Sequence, residues 1–161
     1  MISGGNSAFA MKLMAKLAPH RVILADYGEM PAFSTNAYRF KSLGSQQDGA
    51  YAHRLLQACL DEEADLLIPL HAFEIRPLAA SALLFNEYAV RLALPGADNL
   101  PEYFNSEKSA PAGEDWLLLL HGRPVFSSRS DWPIPLAQVD DGVFSLDENS
   151  GNVAKWRLIT I

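Results

Sequence analysis

The feature that most constrains the fold is an alternation of short apolar runs with amphipathic helical segments through residues 1–96. The apolar runs at 22–25 and 66–70, and the mostly apolar segment 90–94, are typical of strands buried in a parallel sheet. The segments between them place apolar residues three and four positions apart, which predicts helices. Strands joined by helices favour right-handed crossovers and a parallel sheet that is covered on both sides.

Local signals define where the predicted helices begin. Asn6 or Ser7 is suited to cap the first helix, and Asp48 the second. Pro31 is suited to open a short helix after the second strand. A third helix is expected after residue 71, with these residues facing inward: Ile75, Leu78, Ala79, Ala82 and Leu83. We therefore predict an α/β fold for residues 1–96, a Rossmann-like three-layer unit with a mostly parallel sheet.

Residues 97–161 have a different character and are expected to form a C-terminal β-hairpin region packed on the first unit. The apolar run at 116–120 and the segment 123–127 flank His121-Gly122, a pair suited to a tight turn. The segments 143–146 and 153–161 are expected to form a second hairpin, whose last strand either extends the sheet or pairs across a homodimer. This region carries a net charge of −5, against −1 for residues 1–96.

Composition excludes several classes of function. The net charge of −6 makes a nucleic-acid partner that depends on phosphate neutralisation unexpected. Cys59 is the only cysteine, so no intramolecular disulfide forms, and its place on an inward helix face predicts a buried thiol. No apolar run reaches the roughly 18 residues of a membrane span, and no export signal is apparent. A cytoplasmic protein without a membrane partner is the expectation.

The glycine-containing loop that precedes the first helix is a candidate ligand site. Ser3, Gly4, Gly5, Asn6 and Ser7 could present backbone N–H groups to a phosphate or carboxylate at a helix N-terminus. A tight strand-to-helix turn is the alternative, because the G-x-G-x-x-G spacing of dinucleotide-binding loops is missing.

Three polar residues follow predicted strands at the edge where open α/β sheets bind ligands. Asp26 lies 21 residues after Gly5, near the position of a ribose-binding acid in dinucleotide folds, or it caps a turn. His71 is a candidate proton donor, because the imidazole side chain can exchange a proton near pH 7. Glu74 either contributes to the site or complements the dipole of the following helix. The four histidines have no metal-ligand spacing, so no metal site is expected.

Together these residues resemble one family. Ser3-Gly4-Gly5 before a helix, Leu24-Ala25-Asp26, the run Leu66–Leu70 and Glu74 are similar to the N-terminal pre-ATP-grasp domain of ATP-grasp ligases, such as the large subunit of carbamoyl-phosphate synthase. The resemblance covers about residues 1–96, and the part from Asp48 to Leu94 is its most specific stretch.

The resemblance implies a domain that helps to form a substrate site, beside a separate module that binds ATP and magnesium. The 65 residues after Gly96 are too few for such a module and show no counterpart of its lysines or paired acids. We therefore expect the substrate-binding component of a split ligase, with no cofactor of its own and inactive as an isolated chain. Two alternatives stay open: a non-catalytic binding or oligomerisation module derived from that domain, and a small stand-alone nucleotide-binding protein.

Overall fold

A computed structural model of the chain describes residues 1–46, 49–105, 115–133, 135–136, 139–147 and 154–161. Within these ranges the fold is mixed α/β, with helices and several sheets. The predicted cap at Asp48 lies outside the described residues. The segment after Pro31 contains no helix, so that prediction is wrong; Ser34 instead forms an antiparallel bridge with Arg39.

The first two helices bury apolar faces, although Leu60 of the second, expected to face inward, is 40% exposed. Helix α1 spans Ala8–Ala15, and the Ser7 hydroxyl accepts the Ala10 N–H at its N-terminus, which confirms Ser7 as the cap. Its buried side chains are Phe9, Ala10 and Leu13. Helix α2 spans Tyr51–Asp61, and its buried face consists of Leu55, Leu56, Ala58 and Cys59.

The predicted third helix is divided in two. Helix α3 spans Ala72–Ala80 and helix α4 spans Ala82–Glu87, with a break at Ser81. The break shifts the helical phase, so Leu83 is 73% exposed, and its predicted inward position is wrong. Helix α5 is a single turn at Leu100–Tyr103.

Five short strands of the first region pair in parallel. They are β1 (Ile2–Ser3), β2 (Val22–Asp26), β3 (Tyr38–Ser42), β4 (Leu66–Leu67) and β5 (Arg91–Leu92). Strand β2 lies between β1 and β3, and β4 pairs with β5.

A parallel bridge between Ile2 and Ile68 connects β1 with the residue after β4. The Ser3 N–H donates to the Ile68 carbonyl over 3.1 Å, and the Ile68 N–H donates to the Met1 carbonyl over 2.9 Å. Pro69 has no N–H to continue the ladder with β5, which explains why β4 is shorter than the predicted strand at 66–70.

The second region contains an antiparallel sheet in the order β7-β6-β8-β9. Its strands are β6 (Trp116–Leu120), β7 (Arg123–Ser127), β8 (Gly142–Asp147) and β9 (Lys155–Leu158). The first hairpin is confirmed: His121 and Gly122 both have positive φ, at 56° and 66°, as the tight turn requires. Beyond β9 the chain continues, and the Ile161 N–H donates to the Leu70 carbonyl over 2.8 Å.

The core joins the two regions. One buried cluster contains Leu55 and Leu67 together with Leu117 and Phe144, and the other contains Leu13 with Leu118. Alternate side chains of β6 enter different clusters, so this strand is buried on both faces. In the described part of the chain no helix is long and apolar enough to cross a membrane.

Candidate functional site

The candidate site lies where parallel strands reach their carboxyl ends. Ser3 ends β1, Asp26 ends β2, and His71 is the residue immediately before α3. The bridge from Ile2 to Ile68 brings the segment after β4 beside β1. Side chains that are far apart in the sequence therefore meet at one edge.

Asp26 is the centre of the first contact group and is 8% exposed. Its Oδ2 accepts the Asn6 N–H over 3.1 Å, and its Oδ1 accepts the Tyr27 N–H over 2.9 Å. The same Oδ1 lies 2.7 Å from His71 Nε2. Because an ionised carboxylate can only accept, Nε2 carries the proton of this contact, and in the neutral form of the ring Nδ1 is an acceptor. Nδ1 has no hydrogen bond to any residue in the described ranges.

Glu74 forms the second contact group and is completely buried. Its carboxylate accepts hydrogen bonds from the Ser3 hydroxyl and, over 2.7 Å, from the Tyr27 hydroxyl. The Ser3 oxygen in turn accepts the Leu70 N–H over 3.1 Å. Burial raises the pKa of Glu74 above its usual value, and burial together with the neighbouring Glu74 charge raises the pKa of Tyr27. Glu74 thus ties β1, β2 and α3 together.

Aromatic rings form one side of the site. The His71 ring stacks on Phe73, with centroids 4.8 Å apart and an interplanar angle of 21°. Tyr27 lies 5.5 Å from Phe73, and Tyr51 lies 4.9 Å from it. These rings restrict the orientation of His71, which Asp26 also holds from the other side.

The glycine loop is held by the chain itself. The Gly5 N–H donates to the Ala25 carbonyl over 2.9 Å, and the Ser7 N–H to the Gly4 carbonyl over 3.0 Å. With the Asn6 N–H bound to Asp26, the anion that this loop holds is a side chain of the same protein. A Cβ on Gly5 would lie 2.6 Å from the Leu24 carbonyl carbon, so glycine is needed here for close packing on β2.

The sequence-predicted site residues fall into two groups. Ser3, Asn6, Asp26, His71 and Glu74 belong to the hydrogen-bonded network. Gly4, Gly5 and Ser7 instead shape the loop and start α1.

Sequence reasoning missed Tyr27, Tyr51 and Phe73. Two signals were present: Tyr27 directly follows Asp26, and Phe73 lies between His71 and Glu74. Tyr27 could have been included among the candidate site residues because it directly follows the acid at the end of a predicted strand.

No group of three or more His, Cys, Asp or Glu side chains within the described ranges could hold a metal ion. Comparison with protein families, with curated proteins and with solved structures finds no match to this chain.

Proposed function

We propose that the chain binds a small polar ligand at the carboxyl ends of β1, β2 and β4, as the substrate-binding component of a split ATP-grasp ligase. The observation that carries the proposal is the Asp26–His71 contact, because it leaves His71 Nδ1 as an acceptor in an oriented ring. The family resemblance of residues 1–96 supplies the finer assignment.

The strand pairings support a Rossmann-like interpretation. If the Ile2–Ile68 bridge is counted as sheet pairing, the parallel strands follow the order β3-β2-β1-β4-β5. This is the order of a doubly wound sheet, which binds ligands at the carboxyl edge beside its first strand. Ser3 and Asp26 lie at that edge.

The network favours a ligand that donates a hydrogen bond. His71 Nδ1 accepts an N–H or O–H group, while Asp26 keeps the proton on Nε2. Ligases of the resembling family join a carboxylate to a nucleophile, and an amino or hydroxyl nucleophile carries such a group. ATP and magnesium would be bound by a separate ATP-grasp chain.

The stand-alone nucleotide-binding alternative is less well supported. A pyrophosphate at the loop would have to displace the Asp26 carboxylate from the Asn6 N–H, and the two anions would repel each other at that distance.

Calorimetric titration with amino acids, small hydroxy acids and carboxylates, ATP, AMP and NAD tests the proposal. We expect an amino acid or a hydroxy acid to bind more tightly than ATP, AMP or NAD, and His71→Ala to weaken that binding roughly tenfold or more, which corresponds to about 1.4 kcal/mol. His53→Ala, an exposed histidine on α2, is the matched control and should bind as the unchanged chain does. Equal affinity of the His71→Ala and His53→Ala variants would contradict the proposal.

The partner is tested by searching the neighbouring reading frames for an ATP-grasp protein and mixing it with this chain; the absence of any such protein would count strongly against the split-ligase assignment. We expect co-elution in size-exclusion chromatography and ATP-dependent ligation only in the mixture. Ligation by the partner alone at the same rate would refute the split-ligase assignment. The ligand site would still be tested separately by the titration.

A further inference from the structure

A cavity lies at the opposite edge of the parallel strands from Asp26 and His71. Its volume is about 640 Å³, within the range of small-molecule pockets. Its lining includes the first residue of four strands: Ile2 of β1, Val22 of β2, Leu66 of β4 and Arg91 of β5. The proposed function makes no use of this edge.

The lining combines an apolar surface with basic side chains. The apolar side chains around the cavity include Leu17, Ile68, Leu120 and Val125. The ionisable side chains of the lining are two arginines and two histidines against one aspartate: His20, Arg21, Arg91, His121 and Asp65. Such a lining matches a ligand with an apolar body and a negative head.

Arg91 is held in place by Asp141, a residue outside the cavity lining. Its Nε donates to Asp141 Oδ2 over 2.9 Å, and its Nη2 donates to the same oxygen. Its Nη1 lies 3.0 Å from His121 Nδ1. Because a guanidinium only donates, Nδ1 accepts and the neutral imidazole carries its proton on Nε2, available as a donor. Asp141 also accepts the Gly122 N–H over 3.3 Å, so it fixes both Arg91 and the β6–β7 turn.

Arg21 is placed differently. It is exposed, and it forms no ion pair with any carboxylate in the described ranges. It therefore supplies a cationic group whose charge is not already matched, next to the preorganised Arg91–His121 pair.

We propose that this cavity binds a small amphipathic anion, whose apolar body covers Leu17, Leu120 and Val125 and whose acidic head lies near Arg21 and His121. A carboxylate or a sulfonate supplies the same chemistry. Binding here is independent of the site at Asp26 and His71.

Isothermal titration with decanoate tests this site, with decyltrimethylammonium as the oppositely charged probe of the same chain length. We expect decanoate to bind and the cation to bind much more weakly. Val125→Trp fills the cavity from an exposed position on β7 and should reduce decanoate affinity by roughly tenfold or more. Leu83→Trp, at an exposed position on α4 away from the cavity, is the matched control and should not change it.

The contribution of the charged head is measured with Arg21→Gln. An exposed ion pair contributes modestly, so we expect decanoate affinity to fall by about twofold to fivefold, whereas Lys12→Gln on α1 leaves it unchanged. Thermal melting of each variant verifies that it is folded. The proposal is overturned if decanoate fails to bind, if the cation binds equally well, or if Val125→Trp binds decanoate as Leu83→Trp does.

Discussion

Replacement of Gly5 by alanine is the most direct test of how the glycine loop works. The added Cβ would lie 2.6 Å from the Leu24 carbonyl carbon and 2.8 Å from the Ala25 nitrogen. Both are backbone atoms of β2, so relief requires the loop or the strand to move. Overpacking of this kind costs about 1–3 kcal/mol, and a backbone obstacle places the cost near the upper limit.

Part of that cost is offset in the unfolded chain. Alanine has less conformational freedom than glycine, which stabilises the fold by about 0.4–1 kcal/mol where the backbone conformation permits it. Gly5 does not have a positive φ, so the offset applies. We expect a net decrease of about 2 kcal/mol in the free energy of unfolding, and a melting temperature lower by roughly 4–8 °C.

Urea denaturation followed by circular dichroism measures the change, with Gly96→Ala as the matched control. An added Cβ at Gly96 meets no atom within 4 Å, and its φ is not positive. This control should be as stable as the unchanged chain or slightly more stable. Equal stability of the Gly5→Ala and Gly96→Ala variants would refute the argument that close packing on β2 requires glycine.

Three further predictions concern single side chains. Ser7→Ala removes the cap of α1 and should lower the unfolding free energy by about 1 kcal/mol in urea denaturation, more than Ser130→Ala at an exposed position. Glu74 has a folded-state pKa above its usual 4.5, so ionisation of its side chain opposes folding. The free energy of unfolding should therefore fall as pH rises above about 4.5. Glu74→Gln should reduce this dependence of the unfolding free energy on pH. Burial raises the pKa of Cys59 to about 11, so Ellman's reagent should react with this thiol only in denaturant. Rapid reaction of Cys59 in the folded protein would contradict this prediction.

Part of the site could be predicted because parallel strands place their carboxyl ends together. Asp26, His71 and Glu74 were candidates at that edge, with capping or helix-dipole roles as alternatives for Asp26 and Glu74, and one hydrogen bond links Asp26 to His71. The sequence could not indicate that Asp26 binds the loop N–H at Asn6, because the loop and the acid are each compatible with an external ligand.

Predictions of helix continuity were weaker than predictions of strand position. The apolar spacing continues from Ile75 to Leu83, yet the chain breaks at Ser81 and Leu83 faces outward. A periodicity argument detects apolar faces but not a change of phase between two short helices. The convergence of Tyr27, Tyr51 and Phe73 is equally a consequence of tertiary packing, since they come from three separate elements.

The hydrogen bond between Ile161 and Leu70 affects the order in which the two regions of the chain can fold. The Ile161 side chain also lies against Gly4, so the segment after β9 covers the start of the glycine loop. Contacts of such large sequence separation carry a high loop-closure cost and slow the folding reaction. During synthesis on the ribosome, the Leu70 carbonyl at the carboxyl end of the parallel strands lacks this partner until residue 161 has left the exit tunnel. The two regions should therefore acquire protection from hydrogen exchange together, in one late cooperative step.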